Sequence, residues 1–227
     1  MYRLLLASTV LLSMGSVALA ADAVYSDPVV ETPASAYNWS GFYIGAHAGY
    51  AWGDYTLFSA SGGGPNVDVD GFVGGATIGY NWQWDYLVLG IEADISNGPD
   101  GTTSQGTAGP VWSCITGDCN AEIEYFGTVR GRLGVAFDRW LVYGTAGYAY
   151  GEVEGGIENS AQQGGGSADG WAAGLGTEFG WTEHWSTKAE YLHVDLGDIP
   201  FGTGVGTEDF EGDGDFDVFR LGVNYRF

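Results

Sequence analysis

From Gly41 to Phe227 the chain alternates apolar residues with small or polar ones in short runs, and a period of two is the spacing of a β-strand. In the first run Phe42, Ile44, Ala46, Ala48, Tyr50 and Trp52 share one face, and Tyr43, Gly45, His47 and Gly49 share the other. The second places Phe72, Ala76, Ile78, Tyr80 and Trp82 together. The third sets Leu87, Leu89, Ile91, Ala93 and Ile95 against Val88, Gly90, Glu92 and Asp94. The fourth groups Ile123, Tyr125, Val129, Leu133, Val135 and Phe137 against Glu124, Thr128, Arg130, Arg132 and Gly134. The second half repeats the plan: Arg220-Leu221-Gly222-Val223-Asn224-Tyr225 echoes Arg132-Leu133-Gly134-Val135-Ala136-Phe137. With a seventh run over 187–194, eight strands result.

The connections alternate in length. Segments 81–86, 138–140 and 181–185 are short, whereas 53–70, 96–121, 151–170 and 195–216 are long and rich in Gly, Ser, Asp and Thr. Short turns on one side and long loops on the other match an antiparallel up-and-down transmembrane β-barrel. Aromatic residues argue for a barrel over a soluble sandwich, which buries its rings in mid-strand. Trp39, Phe42, Trp82, Trp84, Trp140, Trp181, Trp185, Tyr225 and Phe227 fall at the short-turn end of the meander. Tyr50, Trp52, Phe72, Tyr148, Tyr150 and Trp171 fall at the other end. Two belts of amphipathic rings flanking aliphatic mid-strands suit the two membrane–water interfaces.

The segment before the first strand fits export. Arg3 precedes the apolar stretch Leu4–Leu12, and Ala18-Leu19-Ala20 is a small-x-small cleavage site. That stretch is too short to span a bilayer. The expected organisation is a signal peptide over 1–20, a flexible periplasmic leader over 21–38 containing Pro28 and Pro33, and one barrel domain over 39–227. Export places Cys114 and Cys119 in an oxidising compartment, where a disulfide closing a short loop is expected. A net charge of −22 argues against a nucleic-acid partner.

Two segments resemble a known family. Tyr37-Asn38-Trp39-Ser40-Gly41-Phe42-Tyr43-Ile44-Gly45 is similar to the opening strand of the small outer-membrane immunogenic proteins of alphaproteobacteria. Tyr225-Arg226-Phe227 resembles the C-terminal signal read by the outer-membrane assembly machinery. The resemblance extends from about Tyr37 to Phe227. It implies an eight-stranded barrel in the outer membrane of a Gram-negative bacterium, in contact with outer-membrane lipid and lipopolysaccharide. Tyr225 and Phe227 would form the assembly signal. The family also includes porin-like and hemin-binding surface proteins.

An eight-stranded barrel is about wide enough inside for its own side chains. Alternation turns Glu92, Glu124, Arg130, Arg132, Glu178, Lys188, Glu190 and Arg220 inward. Glu92 can face Arg130 or Arg132, and Lys188 and Glu190 can face Arg220. Buried charges of both signs must pair, so this cluster is expected to plug the barrel. A gated path for ions or small solutes is the competing interpretation.

Neither catalysis nor a cofactor is indicated. His47, His184 and His193 lie far apart in sequence, with no serine or carboxylate placed to form a catalytic set. Asp209, Glu211, Asp213, Asp215 and Asp217 crowd the fourth long segment, but Asp213-Gly214-Asp215-Phe216-Asp217 lacks the following glycine and distal glutamate of a calcium loop. A solvated acidic loop is expected there, with divalent-cation bridging to lipopolysaccharide as the alternative. The expected role is structural, in envelope integrity and antigenic outer loops, without a large open pore. A narrow porin or a surface ligand-binding protein, for example hemin-binding, is the alternative.

Overall fold

The computed structural model describes residues 37–59, 62–103, 119–157, 163–197, 199–201 and 210–227. The expected signal peptide, most of the expected leader and Cys114 lie outside the described residues, and so does the side chain of Cys119. The strands are β1 (Gly41–Ser59), β2 (Gly62–Trp84), β3 (Leu87–Asn97), β4 (Asp100–Thr103), β5 (Cys119–Phe137), β6 (Trp140–Ile157), β7 (Gln163–Gly180), β8 (Trp185–Asp195), β9 (Ile199–Phe201) and β10 (Phe210–Arg226). All their pairings are antiparallel. β4 continues the path of β3 between β2 and β5, and β9 is a short strand on β10. Eight staves therefore run in chain order around the wall. The pairing of β1 with β10, from Tyr43 opposite Arg226 to Ser59 opposite Phe210, closes it. Closure leaves no sheet edge in lipid, where an unpaired backbone group would cost several kcal/mol.

Two of the short turns are two-residue connections, each with an aspartate in the left-handed region, Asp85 and Asp138. Aspartate tolerates this conformation better than most residues. Gly197, also left-handed, ends β8 with its N–H on the Asp195 carboxylate.

The long segments are strands for much of their length, contrary to the loops expected at 53–70, 96–121, 151–170 and 195–216. The pattern reverses there rather than stopping. In the lower part of β1, Phe42 and Ile44 face out and Gly45 and His47 face in; higher up, Asp54 faces out and Ala51 and Tyr55 face in. On β2, Asp68 and Asp70 are exposed while Val67, Val69 and Val73 are buried, and on β6 Glu154 is exposed beside buried Val153. The lipid-facing staves are apolar outside and polar inside. Their extensions into water are polar outside and apolar inside, as the change of solvent demands.

β5 carries the second correction. Ile123 is buried and Glu124 is exposed, the opposite of the expected facing. Ile123 pairs with Val153 and Tyr125 with Glu152, so Glu124 is a bulged residue without a partner on β6. One inserted residue reverses every side chain on one side of it. On the neighbouring stave the same level is interrupted by Gly98-Pro99, where proline has no N–H to give the ladder.

The belts largely stand as expected. Tyr50, Trp52, Phe72, Tyr148 and Trp171 are exposed at the outer end, and Trp82, Trp84, Trp140, Trp181, Trp185 and Phe227 at the lower end. Trp39 does not belong to them: it is fully buried inside the barrel. Tyr37 and Asn38, placed in the leader by the sequence, are ordered beside it, and Tyr37 is buried.

Inside the wall, tyrosines lie over glycines of the adjacent strand. Tyr43 pairs with Gly79 and Tyr143 with Gly176. A Cβ on Gly79 would come within 2.3 Å of the Tyr43 hydroxyl, and one on Gly176 within 2.4 Å of the Tyr143 ring. These glycines are the space into which the rings fold. Gly176→Val should therefore destabilise the barrel by about 1–3 kcal/mol or more through overpacking. Gly131→Ala should be neutral by comparison, because its nearest contact would be 3.9 Å away. Urea titration of the heat-modifiable gel shift checks both, and equal midpoints would exclude ring–glycine packing as a stabilising element.

Candidate functional site

The lumen is filled in three layers. The outer layer is an apolar cluster including Tyr55, Val69, Phe126, Val153, Leu192 and Phe216, with Phe126 and Phe216 edge to face at 5.1 Å. The lowest is aromatic and aliphatic: Tyr37, Trp39, Val88, Leu141 and Tyr143. Between them lie four carboxylates, Glu92, Asp94, Glu178 and Glu190, and four cations, Arg130, Arg132, Lys188 and Arg220, all buried. Their formal charges cancel.

Glu92 on β3 is the hub. Its carboxylate accepts from Arg130 at 2.8 Å, Arg132 at 3.2 Å, Lys188 at 3.0 Å and the Tyr43 hydroxyl at 2.8 Å. Asp94, one inward position higher, accepts from Arg130 at 2.8 Å, from both terminal nitrogens of Arg220 at 3.0 Å, and from the Thr128 hydroxyl at 2.7 Å. Glu190 on β8 accepts from Arg220 Nε at 2.8 Å, from Arg130 at 3.3 Å and from the Tyr143 hydroxyl at 3.0 Å. Glu178 on β7 closes the lower side with Arg132 at 2.9 Å, Ser186 at 2.5 Å and Asn224 at 2.9 Å. Arg132 also stacks on the Tyr143 ring, 3.9 Å from its centroid.

The eight charged groups come from five staves, β3, β5, β7, β8 and β10, so the network exists only once the barrel has closed. An ion taken from water into a protein loses several kcal/mol of solvation, and only full pairing with good geometry offsets that loss.

Of the expected interior cluster, Glu92, Arg130, Arg132, Glu178, Lys188, Glu190 and Arg220 are all brought together. Glu124 is not, because of the bulge. The expected pair of Glu190 with Arg220 forms, while Lys188 reaches Glu92 across the lumen. The sequence reading leaves Asp94 out of the cluster, although the alternation of β3 sets it on the face of Glu92; that alternation was the available signal. His47 caps the network, with Nδ1 3.0 Å from the Thr77 hydroxyl and Nε2 2.7 Å from Ser96 and 3.3 Å from Arg220. A ring carrying its proton on Nδ1 would donate to Thr77 and accept from the other two.

Tyr225 and Phe227 stand on the lipid-facing side of the lower belt. Their rings are 5.2 Å apart, and Phe227 lies 5.6 Å from Phe42 across the closing seam. His193 and His184 are elsewhere: His193 bonds Asp217 near the outer belt, and His184 stacks on Tyr225. Among the described residues no group of three or more His, Cys, Asp or Glu side chains could hold a metal ion.

Comparison with known proteins agrees with this architecture. The profile of the outer membrane protein beta-barrel domain matches residues 7–227. The chain is 38% identical to the 31 kDa outer-membrane immunogenic protein of Brucella melitensis, over 92% of this chain and 93% of that protein. It is 30% identical to the 22 kDa outer membrane protein of Rhizobium leguminosarum, over 84% and 79% of the two chains. Among solved structures, Neisserial surface protein A aligns with a TM-score of 0.51 and 15% identity, covering 83% of this chain and 98% of that one. That last likeness concerns the fold alone. The closed antiparallel wall, the two belts and these matches place the chain in the outer membrane, as a member of the outer membrane protein β-barrel domain family.

Proposed function

We propose that this protein is a closed structural and surface barrel, contributing to envelope integrity and displaying acidic hairpins, with no steady water-filled pore and no catalytic role. The neutralised network at the middle of the lumen carries this reading. A conducted ion would have to separate Glu92 from Arg130, Arg132 and Lys188, and then pass the apolar cluster above. Both steps are costly in a space without bulk water.

The charge distribution supports the surface role. The chain has seven Lys and Arg residues. Four lie in the network, Arg226 at the lower mouth, Arg139 at a lower turn and Arg3 near the N-terminus. Segments 53–70, 96–121, 151–170 and 195–216 contain none. Such an outer surface would meet anionic lipopolysaccharide through divalent cations rather than through its own cations. The relatives named immunogenic make the hairpins the natural candidates for antigenic surface.

Planar-bilayer recording of refolded protein tests the reading. The expected result is no large, steady conductance. A stable channel of general-porin size would overturn it.

A further inference from the structure

We propose that residues 37–40 are a strap that shuts the lower mouth of the lumen and fastens the β1–β10 seam from within, with Arg226 as its clasp. Three observations meet here. The strap is tied to β2, since the Trp39 N–H donates to the Gln83 side chain at 2.6 Å and the Gln83 N–H donates to the Ser40 hydroxyl at 3.0 Å. It is seated against β7, since the Tyr37 ring occupies the space that a Cβ on Gly180 would need, 2.3 Å away. It is gripped by β10, since Arg226 donates to the Tyr37 hydroxyl at 2.8 Å and to the Asn38 carbonyl. The same guanidinium lies 4.9 Å from the ring centroids of both Tyr37 and Trp39.

Arg226 explains why the strap is more than a trailing end. It is 5% exposed, and among the described residues no carboxylate lies within ion-pair distance of it. A buried cation without a counter-charge is costly. A hydroxyl, a carbonyl and two aromatic faces are what keep this one satisfied, and all of them belong to the strap. Strap and clasp therefore depend on each other. Arg226 sits one residue from the C-terminus and the strap abuts the start of β1, so their contact joins the two ends of the barrel wall. On the outside of the same seam the exposed Phe227 and Phe42 rings lie 5.6 Å apart. The seam is thus held on both of its faces, and the mouth is closed by the chain's own entering segment.

The test uses full-length protein carrying Cys114→Ser and Cys119→Ser, with one new thiol at Val88→Cys, a buried position packed in the strap's cluster. A water-soluble maleimide reports access from below. With the strap intact the thiol should be protected in folded barrels. Arg226→Ala, and separately Tyr37→Ala with Trp39→Ala, should speed its labelling by about tenfold or more, as losing a charge-assisted contact to a locally opening segment implies. Both should still run as folded, heat-modifiable species. Folded variants as protected as the parent would overturn the proposal, and so would a parent thiol already labelled at the unfolded rate. Should Arg226→Ala fail to fold, the strap pair decides: labelled folded barrels support the clasp and protected ones refute it.

Discussion

Glu92→Leu should destabilise the barrel by about 3–5 kcal/mol, the usual cost of stripping one partner from a buried ionic cluster. The single change leaves four cations facing three carboxylates, and it removes an acceptor shared by Arg130, Arg132, Lys188 and Tyr43. Arg130 and Arg220 keep Asp94 and Glu190, but Lys188 has no other ion-pair partner among the described residues. Lys188 should therefore drive the loss, either by pulling water into the lumen or by opening the wall. Adding Lys188→Met restores the balance at three against three, and it should recover a large part of the loss as a favourable coupling between adjacent sites. Arg132→Met is the weaker compensating change, because Arg132 also serves Glu178. Urea midpoints of the heat-modifiable species give all four corners of the cycle. An effect within about 0.5 kcal/mol for Glu92→Leu, as at ordinary surface positions, would mean that the lumen is wet and the charges are solvated.

How far these residues could be recognised in advance depends on the length over which alternation holds. β3 shows inward and outward residues without a break from Leu87 to Asn97, and its assignment follows directly from the sequence. So do the two belts, apart from Trp39. Its position next to Phe42 suggests the lower belt, but its placement inside depends on Arg226 and Gln83, residues distant in the chain. The outer hairpins were hidden for a different reason. Their apolar residues are few and widely spaced among Gly, Asp and Ser, so they look like loop until one sees that Tyr55, Val67, Val69 and Phe216 all point inward. Crossing from lipid into water reverses the sign of the pattern without changing its period, and a search for apolar outward faces misses that continuation. The bulge at Glu124 is harder still. Nothing local distinguishes it, and it was betrayed only by the partner strand, where Val153 and Glu152 are consecutive. In the charge cluster, facing was legible except at Glu124, and so were the pairs between neighbouring staves, Glu92 with Arg130 and Arg132 and Glu190 with Arg220, whereas the pair across the lumen was not. Facing is a property of one strand, whereas Lys188 meets Glu92 across the lumen at a distance set by barrel diameter.

Deleting Phe227 should lower outer-membrane levels of folded barrel severalfold, far more than removing one residue from segment 158–162. Two effects combine at this position. The last strand must pair with the first before the wall is closed, and each backbone group left open in lipid costs several kcal/mol. Phe227 contributes to that pairing through its N–H on the Phe42 carbonyl at 3.0 Å, and it packs on Phe42 and Tyr225 in the lower belt. Its ring is also 67% exposed on the outer side of the wall, where an assembly factor can reach it before lipid does. Arg226 has the same sequence neighbourhood but points into the lumen, so Arg226→Ala provides the internal control. If the terminal ring is what the assembly machinery reads, loss of Phe227 lowers the amount inserted in cells while refolding into detergent in vitro stays close to normal. Arg226→Ala leaves both insertion and refolding near normal while the lower mouth opens. Equal deficits in cells and in vitro for the Phe227 deletion would assign its whole effect to seam pairing. Normal levels in both settings would remove Phe227 from assembly altogether.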